Sequence, residues 1–329
     1  MTIRTALAAA LLACAAAVPA AAQELKFANF TPPMHTINAS VIERMNEDLS
    51  AATDGAVTVR GYHGGELGAG PVEQYVRAVQ GAADLVWGLP GYTSSQFGKT
   101  MIAEMPDALA ADRPGYEALW DAFEGELSGE FPGTVPVALW TSEPNVFIMR
   151  DKVIRTPADL AGLKVRVAGS SSAEVAEALG ATPVQMPINQ VYQALETGLI
   201  DGVITGASVL SDFRMDEVAD AITVGAPLGR LTFYTVMNQG AYDALPDAAK
   251  EALDMEGRRA LSQSAEEAWN ATADAALEAA RADGANTVTE LTEEEAAAFA
   301  EAVSAVTQAY VDEVGGQAAA DAMAGAAMN

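Results

Sequence analysis

Apolar residues along this chain recur in two alternating periods, one of two residues and one near 3.6, and this predicts strands and helices in turn. Residues 24–30 read as a first strand, closed by Pro32 and Pro33 in a loop. Val41, Ile42, Met45 and Leu49 then mark a helix over 38–52, and after Asp54 and Gly55 the run 57–62 reads as a strand. The pattern continues with a helix over 72–79, a strand over 83–88, a helix over 116–127, and strands over 135–140 and 146–149. Thr156 and Pro157 predict a capped helical turn through Leu160. A β-α-β-α-β series fills 164–204, with a helix over 172–179 opened by a Ser171/Glu174 capping box, a helix over 189–197, and Gly180 and Gly198 as the stops. Residues 231–238 are strongly β, 247–283 form a long Ala- and Glu-rich helix, and 293–311 another helix. The Gly- and Ala-rich tail 315–329 is expected to fray. The chain thus holds two alternating α/β units with a changeover near 140–150, and 231–238 crosses back between them. Sheets of this kind bind ligands at the carboxyl ends of their strands.

The N-terminus departs from this pattern. Arg4 is the one charge ahead of an apolar run over 6–18, and Pro19 followed by small residues predicts a secretory leader over 1–22, with the mature chain starting near Gln23. Cys14, the only cysteine, also fits a lipoprotein cleavage box, and both readings leave the mature body without a thiol or disulfide. No later stretch reaches the length of a membrane span.

Charge narrows the partners. Without the leader the chain carries 17 basic and 45 acidic residues, a net −28. Nucleic acid and anionic lipid need a basic stripe that is missing here. An acidic protein that binds an anion must focus positive potential at one spot, so each buried arginine is informative. Arg166 sits on the short β-branched strand 164–167, and Gly169 to Ser172 follow it at the start of a helix. A guanidinium and the free amides of a helix start together suit a carboxylate. By spacing alone, the segment also fits a βαβ unit with an ordinary surface arginine.

Catalytic chemistry finds little support. His35 and His63 are the only histidines and lack a ligand pattern around them, so neither a zinc site nor any other metal or cofactor site is expected. Ser170 to Ser172 lack a nucleophile elbow, and the glycines of 64–70 lack a phosphate-loop lysine. No catalytic residues are assigned.

One block of residues is distinctive: Gly162 to Val167, Leu179 to Pro183, Met186, Val191 to Gly198 and Ile200 to Gly202, preceded by Ile154 to Ala161. With Asn29 after the first strand and Gly65 to Gly68, it resembles the extracytoplasmic solute receptors of tripartite ATP-independent periplasmic (TRAP) transporters, of DctP type. The resemblance covers nearly the whole mature chain. It implies a two-lobed periplasmic-binding-protein fold (class II-like), each lobe a mixed sheet flanked by helices, with a long helix bracing both. It further implies a monomeric, periplasmic receptor that closes on a small organic acid and delivers it to a sodium-coupled membrane permease. In that family the arginine of the Lys-Val-Arg-Val strand pairs with the ligand carboxylate, and Arg166 stands there.

On this frame, lobe I takes 23–143 and about 231–255, and lobe II takes 144–230 and about 256–314 with the bracing and C-terminal helices. Loops at strand ends supply the remaining candidates for the ligand site: Asn29, Trp87, Trp140, Asn145, Met186, Thr205 and Phe233, with His35 weaker. Sialic-acid binders of the family carry a second arginine about twenty residues before the first, where this chain reads Glu143, Pro144, Asn145 and Val146. One carboxylate-pairing arginine among aromatic walls suggests a keto, hydroxy or aromatic monocarboxylate. A C4-dicarboxylate and an ectoine-like zwitterion stay open, as do a receptor for an ATP-driven importer, a receptor feeding a signalling kinase, and a secreted enzyme on this scaffold.

Overall fold

The computed structural model describes residues 22–325, so Cys14, the leader up to residue 21 and residues 326–329 lie outside the described part. The strands in chain order are β1 (Gln23–Ala28), β2 (Val57–Tyr62), β3 (Leu85–Gly88), β4 (Thr134–Thr141), β5 (Asn145–Met149), β6 (Lys164–Val167), β7 (Thr182–Gln185), β8 (Gly202–Gly206), β9 (Ala221–Val224), β10 (Thr232–Asn238) and β11 (Thr287–Glu290). They form two sheets, ordered β2-β1-β3-β10-β4 and β11-β9-β5-β8-β6-β7. In the first, β10 runs antiparallel to both neighbours, and in the second β5 does the same. The other pairs are parallel. In both sheets the reversed strand is the one by which the chain arrives from the other sheet. This exchange makes each sheet mixed and the molecule a two-lobed α/β protein.

A third link is the helix Met255–Asp283. Its buried stripe, Leu261, Ala265, Trp269, Ala273, Ala276 and Ala280, steps three or four residues at a time along one face. Leu261, Ala265 and Trp269 pack into the core under the first sheet, whereas Ala273, Ala276 and Ala280 pack into the core of the second. Polar groups fix its first half: Ser262 Oγ accepts the Trp120 indole N–H at 2.9 Å and the Leu139 N–H at 3.0 Å. Glu266, 6% exposed, accepts the Gly115 and Tyr116 N–H groups at 2.8 Å each and the Thr141 N–H at 3.0 Å. The helix Gly115–Ala122 therefore has its first amides satisfied by a carboxylate from another element, which also suits its dipole.

Several local expectations are corrected. The long helix does not begin at 247, because Asp254 leaves helical geometry and its carboxylate accepts the Gly257 N–H, which splits a short helix Asp247–Ala252 from the long one. The stretch 293–311 is likewise two helices, Glu293–Val303 and Val306–Glu313. The Ser171/Glu174 capping box does not form, since Gly169 is the cap and Ser171 Oγ turns to Glu104. The tail does not fray from 315: Gln317–Met323 is a helix whose Ala319 and Met323 are fully buried and which packs on Gly115–Ala122. Strands β9 and β11 have no counterpart in the sequence pattern, being only four residues each, with β11 a polar edge.

Glu266→Ala is expected to lower the free energy of unfolding by about 3 kcal/mol or more, because at least three buried donors lose their acceptor at about 1–3 kcal/mol each. Glu266→Gln should lie between. Urea denaturation measures both, and an unchanged midpoint for the alanine variant would contradict the bracing role.

Candidate functional site

Strand β6 runs between β7 and β8, so a residue at its carboxyl end is covered from both sides. Arg166 is 1% exposed there. Its Nε donates to the Met186 carbonyl at 2.9 Å, beyond the end of β7. Its Nη2 is buried without a partner, and among the described residues no carboxylate pairs with the guanidinium. The group facing it is the Tyr92 hydroxyl, from the turn Pro90–Thr93 after β3, whose oxygen also accepts the Ile188 N–H at 3.1 Å. Burial lowers the pKa of Arg166 and the tyrosine opposes that shift. A guanidinium stays charged nonetheless, and a buried charge without an opposite partner costs several kcal/mol. Such a group is poised for an anion.

Arg166 lines a narrow cavity between the two sheets. Trp87, Phe233 and Trp269 wall it from β3, β10 and the long helix, and Phe213 closes it from the segment after β8. Trp87 is held by a hydrogen bond from its indole N–H to Asn29 Oδ1, 2.9 Å, and by stacking on Phe30 at 4.6 Å. Trp140 stacks behind Phe233 at 5.4 Å. His35, Ser142, Thr205, Ser208 and Asp212 add polar lining. The two lobes meet around this cavity. Thr36 N–H donates to Asp212 Oδ1 at 3.2 Å, Ser170 N–H to Ser94 Oγ at 3.2 Å, and Ser171 Oγ to Glu104. Backbone also meets backbone, since a Cβ added to Gly169 would lie 2.5 Å from the Gly91 Cα.

Of the residues singled out from the sequence, Arg166, Trp87, Thr205 and Phe233 line the cavity, as does His35. Asn29, Trp140, Asn145 and Met186 do not: Asn29 positions Trp87, Trp140 backs Phe233, and Asn145 Nδ2 donates to the Leu228 carbonyl at 3.2 Å. Met186 contributes its backbone carbonyl to Arg166. The helix start at Gly169 to Ser172 is not part of the cavity either, because its donors turn to Ser94 and Glu104 across the lobe contact. Tyr92, Asp212, Phe213 and Trp269 were missed. Trp269 had a signal, as the bulkiest residue on the apolar stripe of the bracing helix, whereas Tyr92 lies in a 3-10 turn and Asp212 ends the helix Val209–Asp212, both too short to show periodicity.

Burial, opposed by their hydrogen bonds, pushes Glu104 and Glu143 up to about 7 and Asp212 to about 6. Burial pushes His35 down to about 3, so its ring is neutral at pH 7. Its Nδ1 accepts the Ile37 N–H at 3.1 Å, which leaves the ring proton on Nε2, 3.5 Å from Asp212 Oδ2. A carboxyl whose pKa is raised on folding supports the fold below its unfolded pKa and withdraws that support as pH rises through the folded value. His35 has the opposite sign and acts only below its ordinary 6.5. Between pH about 8 and about 6.5 the carboxyls act alone, so the thermal unfolding midpoint is expected to rise as pH falls across that window, less steeply in Glu104→Gln. A scan showing a flat or falling midpoint there would contradict the assignment.

The model of bacterial extracellular solute-binding protein family 7 (DctP) matches residues 27–313. A C4-dicarboxylate-binding periplasmic protein DctP of Rhodobacter capsulatus is 29% identical over 257 residues, 74% of each chain. Among solved structures, a TRAP solute-binding protein of Rhodoferax ferrireducens with copurified benzoate superposes with TM-score 0.83 at 27% identity, covering 91% of this chain and 96% of the other. One from Bordetella bronchiseptica with bound (R)- and (S)-mandelate gives TM-score 0.82 at 26% identity, covering 91% and 97%. With a match over nearly all of the described residues, the chain belongs to family 7 of the bacterial extracellular solute-binding proteins.

Proposed function

We propose that this protein is the receptor of a TRAP transporter and that it captures an aromatic monocarboxylate, gripping the carboxylate with Arg166. The observation that carries the reading is the buried, unpartnered Nη2 of Arg166 facing a cavity walled by Trp87, Phe233, Phe213 and Trp269. A guanidinium offers a carboxylate two parallel hydrogen bonds, and in a dry site these are strong. No second arginine or lysine lines the cavity among the described residues, and the Asp212 carboxyl would repel a second carboxylate. That favours a monocarboxylate over a C4-dicarboxylate, even though the R. capsulatus relative is named for the latter. The benzoate and mandelate in the two structural relatives fit the same chemistry.

Residues 1–22 act in this reading as a secretory leader that places the protein in the periplasm. The lobes divide at 23–143 with about 231–255, against 144–230 with about 256–314. The closed form is the one presented to the permease. Closure follows from the ligand itself, because only the closed state lets it touch Arg166 of one lobe and the Trp87 wall of the other at once.

Arg166→Ala is expected to weaken binding of benzoate by about 3–5 kcal/mol. Arg166→Lys should recover only part of this, since an ammonium cannot copy the paired donors. Isothermal titration measures both, and wild-type affinity in the alanine variant would remove Arg166 from its role. In a thermal-shift panel, benzoate-type acids should raise the midpoint and succinate should not. The reverse ranking would refute the substrate class.

A further inference from the structure

Asp212 is a second polar group of the cavity, to which the reading above gives only the exclusion of a second carboxylate. Its side chain is 7% exposed. Oδ1 is occupied by the Thr36 N–H at 3.2 Å, whereas Oδ2 is buried and lacks a hydrogen-bond partner. The nearest donor is His35 Nε2 at 3.5 Å, at the outer limit of a hydrogen bond. Asp212 and Arg166 do not pair with each other, and their contacts are disjoint: Met186 and Tyr92 around the arginine, Thr36 and His35 around the aspartate. The cavity therefore has a cationic grip at one place and an unfilled acceptor at another, with aromatic rings lining the space.

We infer that Asp212 selects ligands that carry a hydroxyl group in addition to the carboxylate, the hydroxyl donating its hydrogen to Oδ2. The inference rests on the proposed aromatic-acid receptor and names the substituent that such an acid bears. An unfilled buried carboxylate oxygen costs the full desolvation of that acceptor, and a donor on the ligand repays it. A hydroxyl is favoured over an ammonium because the walls that surround Asp212 are rings, and stripping water from a full positive charge costs far more than stripping it from a hydroxyl. The charged and titratable neighbours leave this assignment intact. His35 is a neutral ring whose Nδ1 is engaged by Ile37, and Glu143, which feels the charge of Asp212, accepts the Ser208 N–H at Oε1, 2.6 Å, and does not line the cavity.

The test is isothermal titration of the full mature protein with benzoate, its 3- and 4-hydroxy derivatives, mandelate and 3-(aminomethyl)benzoate. At least one hydroxylated acid is expected to bind about 10-fold or more tighter than benzoate, the scale of a hydrogen bond to a charged group. In Asp212→Asn the Thr36 contact is kept while Oδ2 becomes a donor, so that ratio should fall to about one. Circular dichroism establishes that the variant is folded, and the wild-type ratios stand without it. The inference is overturned if no hydroxylated acid gains over benzoate, if the gain survives Asp212→Asn, or if the amine is the analogue that gains. Binding of none of the acids overturns the receptor's substrate class as well, an outcome distinct from binding without preference.

Discussion

A guanidinium buried to 1% exposure with no carboxylate beside it is the constraint around which this molecule is arranged. The chain has 45 acidic residues available, yet none of those described is placed against Arg166. Supplying an internal partner would quench the charge and remove the driving force for capturing an anion. The fold instead holds Arg166 by groups that cannot neutralise it, a backbone carbonyl and a phenol. The residual instability is tolerated because the surrounding sheet and helix cores are large, and it becomes differential affinity once a ligand enters.

The exchanged strands and the bracing helix join the two lobes. Strands β5 and β10 anchor these crossings inside the sheets, each paired on both sides. Glu266 and Ser262 tie the bracing helix to β4 and its neighbouring helix by hydrogen bonds, whereas its second half meets the other core through Ala273, Ala276 and Ala280 with Leu277 beside them. The polar half fixes position and direction. The second half buries short side chains against the other core.

Much of this was legible in the residues. The alternation of periods located most strands and helices, and the Lys-Val-Arg-Val strand singled out Arg166 because a lone basic residue in a β-branched run of an acidic protein has few other uses. The cavity wall was only partly legible. Trp87 and Phe233 end or follow strands and so could be placed, but Trp140 has the same sequence character and points away from the cavity, behind Phe233. Strand alternation does not reveal which face of a mixed sheet looks toward the other lobe. Tyr92 and Asp212 come from single-turn helical segments after β3 and β8, and such residues reach the site through the approach of two lobes that are far apart in sequence. The capping box failed for a related reason: Ser171 satisfies a glutamate of the opposite lobe in preference to its own helix.

The meeting of Gly91 and Gly169 sets a mechanical limit on this design. At that point the main chains of the two halves touch with no side chain between them, and a single extra carbon would have to displace backbone. The pair behaves as a doorstop of zero thickness: it lets the jaws shut until peptide meets peptide, and so fixes the smallest chamber the protein can form. At Gly169 any side chain would press into the Gly91 backbone, whereas an added Cβ on Gly91 would meet Gly169 at 3.3 Å, a tight contact that a small shift relieves. In the proposed reading, how tightly the halves can shut around Arg166 therefore depends most on a glycine outside the cavity lining.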